Sequence, residues 1–360
     1  MVGASPALTD VLQRLTRDDA VGISVAVVRP DRDDAFASVG VAEMPSGRAA
    51  TADTAYLWFS MTKIVTATAV MQLAERGALS LDDPVDRFLP EFPRPRSGRP
   101  PVQVRHLLSH SAGLTNPIPV RWVHRADQAG RDPHDFAIEL LTKHDRLRSP
   151  AGAKAVYSNL GYIALGEVIA AASGQAFEDY VEAEILEPLA MTGTGFSYTG
   201  IADEDVATGY QRRFHPMTPL LRLLLPKGIV GETEGRWVAF NRFLVDGPAY
   251  GGLVGSVRDA ARFVAAHLNG GEHEGGRLLS AASVEAMQTL QASGRRLDVG
   301  YGWFRRGADR AGAEFWEHLG GGGGFWNMMR IYPRERVGVV AMGNVTGYDH
   351  DAVAQAGRRP

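Results

Sequence analysis

Ser60 and Lys63 stand three residues apart in Phe59-Ser60-Met61-Thr62-Lys63. On a helix, residues i and i+3 share a face, so the Ser60 hydroxyl and the Lys63 amine come within reach of each other. A serine hydroxyl is a weak nucleophile until a base takes its proton, and an uncharged lysine is such a base. A helix starting at Ser60 would also leave unpaired backbone N–H groups there, which favour negative charge near a reacting centre. The chain has four lysines (Lys63, Lys143, Lys154 and Lys227) and uses arginine nearly everywhere else. With so few, about 0.2 chance Ser-x-x-Lys matches are expected. Arginine keeps its proton and lysine can lose it, so a lysine here suggests a need for a titratable amine. The plain alternative is a helix-capping serine and a solvated lysine.

Two later stretches sharpen the reading. Tyr157 and Asn159 sit in Val156-Tyr-Ser-Asn159, ahead of a helical segment and after Pro150-Ala-Gly152. His318, Gly320 and Gly321 sit in His318-Leu-Gly-Gly321, at the edge of strand-like C-terminal sequence. Each pattern alone is a common accident. In the order Ser-x-x-Lys, Tyr-x-Asn, then basic residue-x-Gly on a late strand, they are specific. The set resembles the serine β-lactamase and penicillin-binding-protein superfamily, and within it the class C-like group, which includes D-alanyl-D-alanine peptidases and a set of carboxylesterases. Arg105 to Leu114, Tyr157 to Tyr162, Gly251-Gly-Leu253 and the glycine run ending in Phe325 extend the likeness over most of the chain.

The resemblance implies that Ser60 is acylated and that Lys63 activates it. It implies that Tyr157 is a second general acid or base, its phenol pKa lowered by the neighbouring ammonium. Asn159 would hydrogen-bond Lys63 and the substrate. The backbone N–H groups of Ser60 and Gly321 would form an oxyanion hole, with Gly320 and Gly321 letting the strand approach the substrate without a Cβ. Acyl transfer needs a nucleophile, a proton acceptor, a proton donor and two fixed oxyanion donors, and this set supplies them with no metal or cofactor. Which of Lys63 and Tyr157 takes the first proton stays open.

Two features depart from the resemblance. Where the β-lactamases and peptidases usually carry a lysine that holds a carboxylate, this chain has His318. A histidine mostly neutral at pH 7 holds a carboxylate less firmly, so the pocket should suit uncharged acyl groups. His318 is expected to contact Tyr157 or substrate; otherwise it is a strand residue with a local hydrogen bond. The second departure is the C-terminus. A helix begins at Asp351-Ala-Val-Ala-Gln355, but Gly357-Arg-Arg-Pro360 is expected to stop it early, which leaves the cover of the sheet on that side in doubt.

These residues need elements to hold them. Gly22 to Val28 reads as a buried strand, Asp31 to Asp34 as a turn and Phe36 to Val41 as the returning strand, after a short amphipathic helix over Leu8 to Leu15. Ser60 to Ala74 reads as a long helix ending near Gly77. Helical pieces follow at 104–109, 135–143, 160–172, 177–186, 256–268 and 281–290, with loop sequence over Pro93 to Pro101. Three late strands, 315–320, 326–332 and 337–342, should complete the sheet begun near the N-terminus. The expected fold is α/β plus all-α: an antiparallel sheet flanked by helices, built from 1–77 and 250–360, with a mostly helical lobe over 78–249 inserted and the site in the cleft between. Pro216 to Pro226 is apolar and bounded by prolines, which suggests a packed wall, a lid or an acyl-pocket wall; membrane-surface contact or self-association through 216–226 are lesser readings.

Composition sets the limits. The 360 residues are 45% hydrophobic with net charge −3, enough for a large core and no electrostatic case for nucleic-acid binding. There is no cysteine, which excludes disulfides and thiolate sites. No run of about 18 apolar residues occurs, so no transmembrane segment is expected. The first ten residues show no export signal, so the expected location is cytoplasmic. Together these readings favour a carboxylesterase for short to medium acyl esters, acting on a small ester or amide. The alternative is a β-lactamase or D-alanyl-D-alanine carboxypeptidase; a transacylase or a non-catalytic binding protein ranks lower.

Overall fold

The computed structural model describes residues 2–3, 5–95 and 98–359. Of the loop Pro93 to Pro101, Arg96 and Ser97 lie outside the described residues. The centre is a ten-stranded sheet contributed by both ends of the chain. Its order runs Val2–Gly3, Ala35–Glu43, Gly22–Val28, Val337–Gly343, Phe325–Tyr332, Glu314–Gly322, Phe304–Ala308, Asp298–Val299, Ala292–Ser293, with Arg48–Ala49 pairing off Ala35–Glu43. Every pairing is antiparallel except that of Val2–Gly3 with Ala35–Glu43. The strand Gly22–Val28 is buried along its whole length, which explains its nearly continuous apolar sequence; the one hydroxyl, Ser24, donates to the Thr51 carbonyl.

Alternation along the central strands divides the packing. Ile23, Val25, Val27, Val337, Val339 and Ala341 turn to one face, where the helices Pro6–Asp18 and His350–Arg358 cover them. Ala26, Val28, Val340 and Met342 turn to the other, against the helix Val257–Leu268 and a core that continues into the helices Thr62–Glu75, Pro133–Lys143 and Asn159–Ser173. One contiguous core thus runs from the sheet through the middle of the chain.

Three expectations need correction. The C-terminal helix is not cut short at Gly357; it runs His350–Arg358. A Cβ at Gly357 would stand 3.1 Å from Val27 Cγ2 and 3.3 Å from a Val339 methyl, so this glycine lets the helix lie close on the sheet. Arg29 donates to the Gly357, Arg358 and Arg359 carbonyls and caps that end. The helix expected from Ser60 begins at Thr62, and Ser60 lies in the preceding 3₁₀ turn Phe59–Met61. The middle of the chain also holds short strands that its sequence did not announce. Val123–Arg125 pairs with Phe243–Val245, and Tyr210–Arg212, Trp237–Phe240 and Val230–Glu234 form a small sheet. Strands of three to five residues are too short to show alternation against neighbouring helical sequence.

No single helix among the described residues is long and apolar enough to cross a membrane. The bent pair Asn159–Ser173 and Phe177–Leu186 passes on length and composition, but its apolar residues are part of the core.

Candidate active site

The turn that carries Ser60 is held from several sides. Phe59 adopts φ +48°, a left-handed conformation uncommon for a large side chain, which turns the backbone sharply just before Ser60. Trp58 N–H donates to the Leu253 carbonyl at 2.8 Å, and Asn327 Nδ2 donates to the Leu57 carbonyl at 2.7 Å. The strand Glu314–Gly322 passes so close that a Cβ at Gly320 would stand 2.0 Å from the Trp58 carbonyl oxygen. A Cβ at Gly322 would meet the Phe59 ring at 2.2 Å. Gly320 lets strand and turn meet backbone to backbone, and Gly322 leaves room for the Phe59 ring. The helix behind the turn is tied to the segment around Tyr250 by Thr66 Oγ1 donating to the Ala249 carbonyl and by the Leu253 N–H donating to Thr62 Oγ1.

Ser60 Oγ is the meeting point of two side chains. Lys63 Nζ lies 3.1 Å from it and Tyr157 OH donates to it at 2.8 Å. Lys63 is fully buried, donates to the Tyr250 carbonyl at 2.7 Å and lies within 5.0 to 5.6 Å of the ring centres of Tyr157, Tyr162 and Tyr250. Loss of solvation holds its pKa well below the ordinary lysine value, and among the described residues no carboxylate offsets this. The lowered pKa favours the neutral amine, the form whose lone pair can take the Ser60 proton.

Tyr157 does not follow the implied direction. Its phenol pKa is raised, because desolvation outweighs the hydrogen bond to Ser60. The resemblance implied a lowered value from a neighbouring ammonium; burial, which also lowers the Lys63 pKa, works against that ammonium. Tyr157 is therefore held as a proton donor.

Asn159 opens the helix Asn159–Ser173, behind the capping Ser158 whose Oγ accepts the Gly161 N–H. It lines the same cavity as Ser60, but no hydrogen bond to Lys63 forms. Its Oδ1 is buried without a partner, while its backbone N–H donates to Asn116 Oδ1 at 3.0 Å. Gly321 lines the cavity beside Ser60, with Gly322 and Gly323 next to it. Gly320 lies behind them, against the turn.

His318 meets its expectation in part: its ring pairs with Tyr157, but it does not reach the cavity. It is 1% exposed and does not line the cavity. On an alternating strand it shares a face with Gly320, so it packs beneath the turn rather than into the cleft. Its ring stacks on Phe304 at 4.2 Å and stands 6.3 Å from Tyr157, and its Nδ1 bonds the Leu319 carbonyl at 2.8 Å. Burial first, then the nearby Lys63, pushes its pKa down to about 3, so it is neutral at pH 7. The expected substrate contact is replaced by a core contact with a local hydrogen bond.

Several residues escaped the sequence reading. Tyr250 contributes a carbonyl to Lys63, and a main-chain acceptor leaves no mark in residue type; only the nearby Gly251-Gly-Leu253 pointed to the place. His110 packs on Tyr157 at 4.7 Å and accepts the Ser158 N–H. The cavity over Ser60, about 410 Å³, is walled by Ile118, Val120, Val123, Ile229, Phe243 and Val245 and by Met217, Leu221 and Leu225 of the proline-bounded stretch. That stretch forms the helix Met217–Leu224 and is in part a pocket wall. No arginine, lysine, aspartate or glutamate lines this cavity among the described residues.

Comparison with known proteins agrees with the geometry. A family model described as Beta-lactamase matches residues 9–359. Penicillin-binding protein 4* of Bacillus subtilis (strain 168) is 28% identical over 318 residues, covering 85% of this chain and 64% of that protein. Esterase EstB of Burkholderia gladioli is 35% identical over 176 residues, covering 44% of this chain and 42% of that protein. The chain therefore spans between two fifths and two thirds of the length of these curated relatives. Among solved structures, the octameric penicillin-binding protein homologue from Pyrococcus abyssi superposes with TM-score 0.79 at 26% identity, over 97% of this chain and 75% of that one.

Proposed function

The chain belongs to the Beta-lactamase family, and we propose that it is a serine hydrolase working through an acyl-enzyme on Ser60, with carboxylic esters of short to medium acyl chains as substrates. The observation that carries the ester reading is the cavity over Ser60, walled mainly by aliphatic and aromatic side chains, with Gln211, His215 and Thr346 as further polar members and no arginine, lysine, aspartate or glutamate among the described residues. A β-lactam or a peptide C-terminus brings a carboxylate, and burying that charge without a cation is costly. An uncharged acyl chain gains from the same wall, by about 0.8 kcal/mol per buried methylene.

The proposed cycle balances its protons. Neutral Lys63 takes the Ser60 proton as Oγ attacks the ester carbonyl. The backbone N–H groups of Ser60 and Gly321 are the oxyanion donors. Tyr157, kept protonated by its raised pKa, gives its proton to the departing alkoxide. The acyl-enzyme then holds an ammonium at Lys63 and a phenolate at Tyr157. Water attacks the acyl carbon and loses a proton to Tyr157, while Lys63 returns its proton to Ser60 Oγ as the acid departs. Both groups touch Ser60 Oγ, as this sequence needs. Asn159 lines the cavity beside Ser60, and its side-chain amide is the polar group that would meet substrate there.

The test is direct. p-Nitrophenyl acetate and butyrate should be hydrolysed readily and nitrocefin slowly or not at all, with a mass increase of one acyl group on wild-type protein and none on Ser60→Ala. Fast nitrocefin turnover with idle esters would instead support the β-lactamase reading.

A further inference from the structure

The wall helix has a second face that the cleft does not use. Among the described residues, seven large apolar side chains are exposed, and four of them lie between 214 and 223: Phe214 at 86%, Leu223 at 75%, Met217 at 46% and Leu220 at 41%. A fifth, Ile118, at 81%, stands at the rim of the same cavity. With 3.6 residues per turn, Leu223, Leu220, Met217 and Leu221 form one continuous arc around the helix. The exposed face therefore runs without a break into the pocket wall.

The stretch itself carries charges of one sign, with the nearest acidic residues on the strand Val230–Glu234, where Arg222 donates to Thr233 Oγ1. Between Asp205 and Glu232 the sequence has no acidic residue, and it carries Arg212, Arg213, Arg222 and Lys227. Arg213, Arg222 and Lys227 are exposed, and Arg213 lies over the Phe214 ring at 5.3 Å. The chain as a whole is net −3, so this basic patch is local. A short helix with a leucine face and a basic border suits the boundary of an anionic lipid layer: the leucines enter the acyl region while the cations meet the headgroups. A two-fold pair of copies would bring each patch onto its own equivalent, cation facing cation, which disfavours self-association.

We propose that Phe214, Met217, Leu220, Leu223 and Ile118, bordered by Arg213, Arg222 and Lys227, dock the protein on an anionic lipid surface, with the cavity mouth against the lipid so that acyl substrates enter from that phase. Docking stands apart from the ester reading; only the delivery of substrate rests on it.

The experiment is co-sedimentation of the full chain with phosphatidylglycerol and with phosphatidylcholine vesicles. Binding to the anionic vesicles is expected, weakening as salt is raised, with little binding to the zwitterionic ones. Arg213→Glu/Lys227→Glu should weaken that binding roughly tenfold or more. Phe214→Ser/Leu223→Ser, outside the cavity lining, should do the same while circular dichroism and p-nitrophenyl acetate turnover stay at wild-type level. Absence of wild-type binding to phosphatidylglycerol, or binding by both variants as tight as that of the wild type, overturns the proposal. So does a concentration-dependent dimer in light scattering that Phe214→Ser/Leu223→Ser abolishes, since the face would then belong to a second copy. If the wild type binds vesicles but hydrolyses no ester, the functional reading fails and the docking surface stands.

Discussion

The floor and the wall of the cleft are built by opposite means. At the floor, Ser60 Oγ, Lys63 Nζ and Tyr157 OH are each fixed by named hydrogen bonds inside a crowded ring of aromatic side chains. The wall is made of Met217, Leu221, Leu225, Ile229 and Val245, which only fill space. Directional contacts constrain residue type at every position, and apolar contacts constrain little beyond size. Floor chemistry is therefore concentrated in a few residues, while the wall spreads its contribution over many.

The largest expected effect comes from the floor. Lys63→Met should lower kcat/KM for p-nitrophenyl butyrate by roughly 10³-fold or more, and Lys63→Arg should not rescue it, because guanidinium keeps its proton. In the wild type, activity should fall as pH drops through the depressed Lys63 pKa, since only the neutral amine accepts the serine proton. Stability follows the same group. Between the lowered folded pKa of Lys63 and its unfolded value the unfolded chain binds more protons there, so in that window stability rises with pH, up to the unfolded lysine pKa. Lys63→Met should remove that slope and raise Tm at neutral pH while activity collapses. A mutant that loses Tm and keeps its turnover would break the contrast drawn between floor and wall.

The next effect reaches the floor through the backbone. Gly320→Ala places a Cβ 2.0 Å from the Trp58 carbonyl oxygen, and neither main chain can yield without moving the turn that carries Ser60. A displacement near 1 Å costs on the order of 10²-fold, so kcat should fall by about that much for every ester tested. Loss of the same factor in KM with kcat intact would place the strand's role in binding.

The wall should respond differently. Leu221→Ala removes apolar surface from the cavity and should lower kcat/KM for hexanoate or butyrate esters by roughly 3- to 10-fold, with acetate nearly unchanged. Equal losses across chain lengths would mean that Leu221 supports the floor, and the division between the two regions would disappear.

The same division explains how much the sequence revealed. The grouping of Ser60, Lys63 and Tyr157 was legible because the proposed acyl transfer demands particular residue types in a particular order, and the structure brings all three to one oxygen. Gly22–Val28 and Val337–Gly343 were legible because burial along their whole length leaves a nearly continuous apolar run. The Tyr250 carbonyl was not, since any residue can supply one. The helix start was misplaced by two residues because the Phe59 turn uses a φ that its residue type does not announce. The strands at 123–125 and 243–245 hold together only across more than a hundred residues of chain, and three-residue elements carry no period of their own.

His318 tests where the floor ends, and its effect should be the smallest on catalysis. Its position in the sequence suggests a hand on the substrate, yet it is buried against Phe304 with Nδ1 committed to the Leu319 carbonyl. A neutral ring with no face on the cavity has packing to lose and no charge to lend. His318→Ala should therefore cost about 1–3 kcal/mol of stability, read as a lower midpoint in urea, while kcat/KM for butyrate changes by no more than roughly threefold below the unfolding transition. Its Nε2 is buried without a partner, so the alanine also removes an unsatisfied polar atom, which holds the stability loss at the lower end of that range. A tenfold fall in kcat/KM with an unchanged urea midpoint would show that the ring acts on Tyr157 across the 6.3 Å between them, and the floor would then extend one layer deeper than its hydrogen bonds indicate.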